Sequence, residues 1–267
     1  MLRQPAVANQ FYPADPRSLR KELEGMVTAV SQPEQVIGII SPHAGYIYSG
    51  AVAGAVFGAI SIPRTVVILG PNHHGLGAAA ALYPSGAWIT PLGNVPIESR
   101  LAALVLQHAP MVKEDTAAHL HEHSLEVQVP FLQYLQPELA IVPICIGFGD
   151  FTSARLLGEG LARAIREYTE PVLIVASSDM THYESADAAK EKDTLALDRA
   201  LALDPEGLLA VCRSRRITMC GVVPSAVMLV ASRALGASHA RLVRYANSGD
   251  VSGDNRQVVG YAGVTVA

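Results

Sequence analysis

The chain has 267 residues, half of them apolar, and a formal charge of -4 at neutral pH, with an isoelectric point near 6.1. That length suits one large α/β domain, and an acidic balance leaves no basic groove for nucleic acid; the short Arg213, Arg215, Arg216 group reads as a solvated helix end. The longest apolar stretch, Ala51 to Ile62, is broken by glycines and stops at Pro63, far short of the ~20 residues a membrane span needs, so no membrane association is expected.

The start, Met1-Leu2-Arg3-Gln4-Pro5, lacks the apolar core of a secretory signal, and a cytoplasmic location is expected. Asp15-Pro16 then opens the first helix, with Leu19, Leu23, Met26, Val27 and Val30 at helical spacing. An apolar run at Val36 to Ile40 reads as a strand, Ser49 to Ile60 as a helix, and Thr65 to Leu69, Leu139 to Ile146 and Val172 to Ala176 as further strands. Asp204-Pro205-Glu206 repeats the helix start before Leu208, Leu209 and Val211. Leu242 to Ala246 and Val258 to Val266 complete the strands. Continuous apolar runs without period-two alternation belong to strands covered on both faces, which predicts an α/β fold with a central mostly parallel or mixed sheet flanked by helices. No repeat, low-complexity tract or charged linker divides the chain, so residues 1–267 are expected to form a single domain.

The chemistry sits where these runs end. Val36 to Ile40 leads into Ser41-Pro42-His43-Ala44-Gly45-Tyr46, Thr65 to Leu69 into Gly70-Pro71-Asn72-His73-His74-Gly75, and Val172 to Ala176 into Ser177-Ser178-Asp179-Met180-Thr181-His182. In open α/β sheets the loops beyond the carboxyl ends of neighbouring strands converge, so histidines distant in sequence share a pocket. Imidazoles suit zinc, iron or copper, and a thiolate or carboxylate commonly completes such a set. At His73-His74 at least one ring is expected to face the site. Three cysteines are too few and too uneven for a disulfide framework. Cys220, followed by Gly221, is the thiol candidate, whereas Cys145 in a strand and Cys212 on a helix read as small buried hydrophobes. Asp179 and His182 fit a ligand and a proton-transfer group, or else a helix cap and a packed imidazole.

Two other segments carry polar groups. His119, His121 and His123 alternate, and on a strand they would face one side as a second metal site; support of the primary site by Glu122, His123 and the following Ser124 to Phe131 is the favoured reading. Asn247 to Asp254 is rich in oxygen ligands and glycine but lacks calcium-loop spacing, and is expected to form a structured turn beside the pocket.

At these residues the sequence resembles the Memo family, named for a mediator of cell motility, whose prokaryotic members are labelled AmmeMemoRadiSam system protein B. The resemblance rests on Pro42-His43-Ala44-Gly45-Tyr46, Gly70-Pro71-Asn72-His73-His74, Glu122-His123-Ser124, Ser177-Ser178-Asp179 with His182, Met219-Cys220-Gly221, Tyr245-Ala246-Asn247-Ser248 and Gly260-Tyr261-Ala262, in family order, with Phe11-Tyr12-Pro13 matching more loosely. It implies a fold similar to class III extradiol ring-cleavage dioxygenases, metal-binding positions at His43, His73 and Cys220, and Asp179 and His182 lining the pocket. Those dioxygenases complete two histidines with a carboxylate; a cysteine here prefers softer metals, so catechol chemistry does not transfer with the fold. The function expected is a mononuclear non-haem iron or copper site in a metal-dependent redox protein acting on a small molecule. The alternatives are an interaction module that binds a peptide or metal and works with radical SAM and AMMECR-type proteins, and hydrolysis at zinc.

Overall fold

A computed structural model describes residues 1–267. The elements in chain order are β1 (Leu2–Arg3), α1 (Pro16–Met26), β2 (Gly38–Ser41), α2 (Tyr46–Gly58), β3 (Thr65–Pro71), β4 (Ala80–Leu82), β5 (Ala87–Thr90), β6 (Gly93–Pro96), α3 (Ser99–His108) and β7 (Lys113–Glu114). Two 3-10 turns, Ala117–His119 and Glu126–Gln128, lead to α4 (Val129–Leu135), β8 (Ala140–Ile146), α5 (Phe151–Tyr168), β9 (Val172–Ser177), β10 (His182–Glu184), α6 (Ala186–Leu201), α7 (Pro205–Arg215), α8 (Val222–Leu235), β11 (Ala240–Asn247), α9 (Gly249–Ser252) and β12 (Val258–Val266).

The main sheet is mixed. Its centre is four parallel strands in the order β2-β9-β3-β8. β12 continues it antiparallel beyond β2 and carries β11 and β10, while β4 and β7 extend it beyond β8. A small sheet of β1, β5 and β6 stands apart. Every residue of β2, β3 and β8 is buried, which is why these strands read as unbroken apolar runs. Helix α8 packs on β2, β3 and β9 and against α5, and α2 packs on β2, β11 and β12, so helices cover the sheet and one core cluster unites the chain. No helix is long and apolar enough to cross a membrane.

Both predicted aspartate caps form: Asp15 accepts from Ser18 N at 2.8 Å and Asp204 from Gly207 N at 2.9 Å. Helix α2 begins three residues before the predicted Ser49, because Gly45 acts as its N-cap directly after the His43 loop. The alternation at His119, His121 and His123 is not a strand. A 3-10 turn ends at His119 and breaks the two-residue period, so the three rings diverge: His119 is fully buried, His121 is exposed and His123 is half-buried.

Candidate metal centre

Parallel strands place their carboxyl ends on one edge, and because β9 lies between β2 and β3, the loops after all three meet. His43 follows β2, His73 follows β3, and Asp179 follows β9. The loop between the two 3-10 turns brings His123 to the same point: one donor atom from each of His43, His73 and His123 lies within 4.8 Å of the others. Ring centroids are 5.3 Å apart for His43 and His73, 5.5 Å for His43 and His123, and 4.7 Å for His73 and His123. Three imidazoles on one tetrahedral ion at about 2.1 Å, each centroid roughly 1.1 Å behind its nitrogen, would stand about 5 Å apart, so these side chains fit a single ion.

The hydrogen-bond network sets which nitrogen is available. The Ser177 hydroxyl donates to Ser124 O at 2.6 Å, because a carbonyl can only accept. Gln128 Nε2 donates to Pro42 O at 2.9 Å and to Ser177 Oγ at 2.8 Å. With its proton committed, Ser177 Oγ must accept from His43 Nδ1–H at 2.8 Å, which leaves the lone pair on His43 Nε2. Glu122 acts in the same sense on His73: its carboxylate accepts His73 Nδ1–H at 2.8 Å and His73 N–H at 2.6 Å, so Nε2 is the free donor. Burial opposes the Glu122 charge, but the His73 side chain and the amides of Ser124 and His73 outweigh it and hold the carboxyl far below its ordinary range. His123 Nδ1 lies 3.5 Å from the same carboxylate. Burial foremost, then the neighbouring imidazoles, lowers the basicity of His43, and burial also lowers that of His123, to about 4. Neutral imidazoles with directed lone pairs are the form that ligates metal.

Cys220 is partly exposed at the start of α8, and its Sγ stands 3.2 Å from His43 Nε2. Asp179 N–H donates to this sulfur at 3.3 Å. Gly221 is required beside it, since a Cβ there would lie 2.2 Å from Ser177 O. Desolvation, then the Asp179 carboxylate, pushes the thiol well above its ordinary range, so in the free protein it stays protonated and donates to His43 Nε2; a cation is needed to release that proton. Asp179 accepts from His43 N–H at 2.7 Å and caps no helix; burial raises its carboxyl above the ordinary range. His182 donates Nδ1–H to Thr218 O at 3.0 Å. Of the residues singled out from sequence, His43 and Cys220 are in contact, His43 and His73 share one cluster, and Asp179 bonds both His43 and Cys220. The cluster's third imidazole is His123, and His74 and His121 remain at the exposed rim.

Sequence reasoning placed supporting polar groups in Ser124 to Phe131 but missed their partner Arg3. Arg3 and Glu126, each 1% exposed in their side chains, pair at 2.6 Å. Arg3 also donates to His119 O and Glu122 O, both at 2.7 Å, and lies 4.2 Å over the Trp88 ring. Glu126 further accepts from Ala6 N, Val7 N and Tyr12 Oη. The N-terminal residues thereby clamp the segment that supplies Glu122 and His123. His119 donates Nε2–H to Ala81 O at 3.0 Å and packs edge-on against Tyr83 and Trp88, a core role. Asn247–Asp254 forms the turn that includes α9, with Asp250 accepting from Asn247 N. Cys145 and Cys212 are buried as expected.

Comparison with known proteins shows the family. The model of the family described as Memo-like protein matches residues 3–265. A MEMO1 family protein of Methanopyrus kandleri is 44% identical over 99% of this chain and 98% of its own. Those of Methanothermobacter thermautotrophicus and Aquifex aeolicus are each 43% identical, over 98% of this chain and 99% and 98% of theirs. A crystal structure of an uncharacterized Escherichia coli K12 protein, 14% identical, covers 87% of this chain and all of its own with a TM-score of 0.57, a likeness of fold alone. With the family model spanning nearly every residue and relatives matching end to end, the chain belongs to the Memo family.

Proposed function

We propose that the protein holds one redox-active transition metal ion, iron or copper, on His43 and His73 with Cys220 as a thiolate donor and His123 as a further imidazole at the same centre. The observation that carries this reading is the convergence of three imidazoles, two of them with their tautomer set by Ser177 and Glu122 so that Nε2 is the free donor. Mixed nitrogen and sulfur donors favour copper, iron or zinc over magnesium or calcium. When bound, such an ion would supply electron transfer and Lewis acidity to a small-molecule substrate. Asp179 and His182 serve proton transfer in this reading. Burial raises the Asp179 carboxyl to about 6, and the His182 ring is oriented by its Nδ1–H bond to Thr218 O.

Metal-linked oxygen consumption or product formation across a broad panel of catechols and other small molecules tests the activity. Turnover that is lost in His43→Ala is expected; no turnover with any reduced metal contradicts the enzyme reading. A second reading, an interaction module working with radical SAM and AMMECR-type proteins, is favoured by the exposed large side chains of Ile47, Tyr48, Leu76 and Tyr183 in the segments that follow β2, β3 and β9. Pull-downs that recover neither partner, nor any peptide whose binding needs Cys220, would remove it.

A further inference from the structure

The proposed centre absorbs His43, His73 and His123 but leaves His74 and His121 unexplained. Both are exposed, and their ring centroids are 6.3 Å apart. Two imidazoles sharing an ion at about 2.1 Å have centroids about 5.2 Å apart at a tetrahedral angle and at most roughly 6.4 Å when opposed, so a modest rotation of these exposed side chains would bring both nitrogens onto one ion. The two segments that carry the pair are tied together. Asp115 accepts from Ala78 N at 2.6 Å on one and from Ala117 N at 2.7 Å on the other. Gly77, at φ 76°, lets the chain approach, for a Cβ there would meet Asp115 Oδ2 at 2.3 Å. Because these amides occupy the Asp115 carboxylate, the rim offers imidazole nitrogen, a donor suited to borderline metals.

Imidazoles also lead inward. His74 adjoins His73 in sequence. The His73 and His123 rings are stacked, with His73 exposed and His123 half-buried, and His43 beside them is buried. Solvent access thus falls within the centre, from His73 on the rim side to His43 inside. A two-imidazole site holds an ion weakly, which is what a transfer station needs: capture has to be favourable and release fast.

We propose that His74 and His121 form a second, weaker metal-binding pair that captures a borderline transition metal ion from solvent and passes it to the centre, whose His73 and His123 lie on the solvent side of His43. This inference rests on the buried centre being a metal site, and two arms separate the two claims. In the first, the full chain carrying His43→Ala is titrated with cobalt(II), and a weak residual site is expected that disappears when His74→Gln and His121→Gln are added. Absence of that residual site overturns the rim pair and leaves the buried centre standing. In the second, stopped-flow absorbance follows cobalt(II) entering the otherwise native chain, and the His74→Gln/His121→Gln variant is expected to load the centre on the order of tenfold more slowly, to the same final occupancy of the centre. Equal loading rates overturn the relay. A native chain that loads only the rim would overturn the buried centre, and the relay with it, while keeping the rim pair.

Discussion

Glu122→Gln isolates what one carboxylate does for the centre. The substitution keeps shape and volume at a fully buried position but removes the charge, and it puts an NH2 where both oxygens now only accept. Those oxygens receive His73 Nδ1–H, His73 N–H and Ser124 N–H at 2.6–2.9 Å. The amide can serve one side of this set, so a donor must face a donor on the other. His73 then loses the partner that holds its ring and makes its Nε2 a better ligand. Loss of such a carboxylate partner weakens metal affinity by about 10- to 100-fold, or roughly 1.4–2.7 kcal/mol. Chelator-competition titration with zinc or cobalt reads this directly, and circular dichroism confirms that the variant is folded. Affinity equal to the native chain in a folded variant would refute the claim that Glu122 orients His73 for metal.

Arg3→Met leaves Glu126 buried without its cation, and should lower unfolding stability by roughly 3–5 kcal/mol in urea; adding Glu126→Gln should recover part of that loss. Ser177→Ala removes the acceptor for His43 Nδ1–H, so nitrogen NMR of the free protein should show a single Nδ1–H tautomer at His43 in the native chain and a mixture in the variant, with weaker metal binding. His119 is held neutral by burial, its basicity lowered from the usual 6.5 to about 4. The unfolded chain therefore binds a proton that the folded chain refuses between those values, so this contribution is complete above about pH 6.5 and falls by about 3 kcal/mol as the pH drops toward 4. Urea titrations across that range should show a shallower acid loss in His119→Gln than in the native chain.

The fold was legible where burial makes sequence monotonous. Thr65 to Leu69, Val172 to Ala176 and Val258 to Val266 read as strands because both faces are covered, and the sheet contains each of them. His43, His73 and Asp179 could be placed together because strand ends in such sheets converge. His123 could not be separated from His119 and His121 by spacing, since a 3-10 turn obeys neither the strand nor the α-helix period. Glu122-His123-Ser124 was visible as a family motif, yet its task of fixing the His73 ring depends on a contact across 49 residues. Arg3 gave no signal at all: a lone arginine near the start of a chain reads as a solvated tail, and only the buried Glu126, 123 positions later, explains it.

Metal analysis of protein purified anaerobically without added metal, with electron paramagnetic resonance of the same samples, tests the central claim most directly when His43→Ala, Cys220→Ser and His123→Ala are run beside the native chain. Near-stoichiometric iron or copper in the native chain, lost in His43→Ala and sharply reduced or spectrally altered in the other two, is the predicted result. Full metal content and unchanged spectra in all three variants would contradict it.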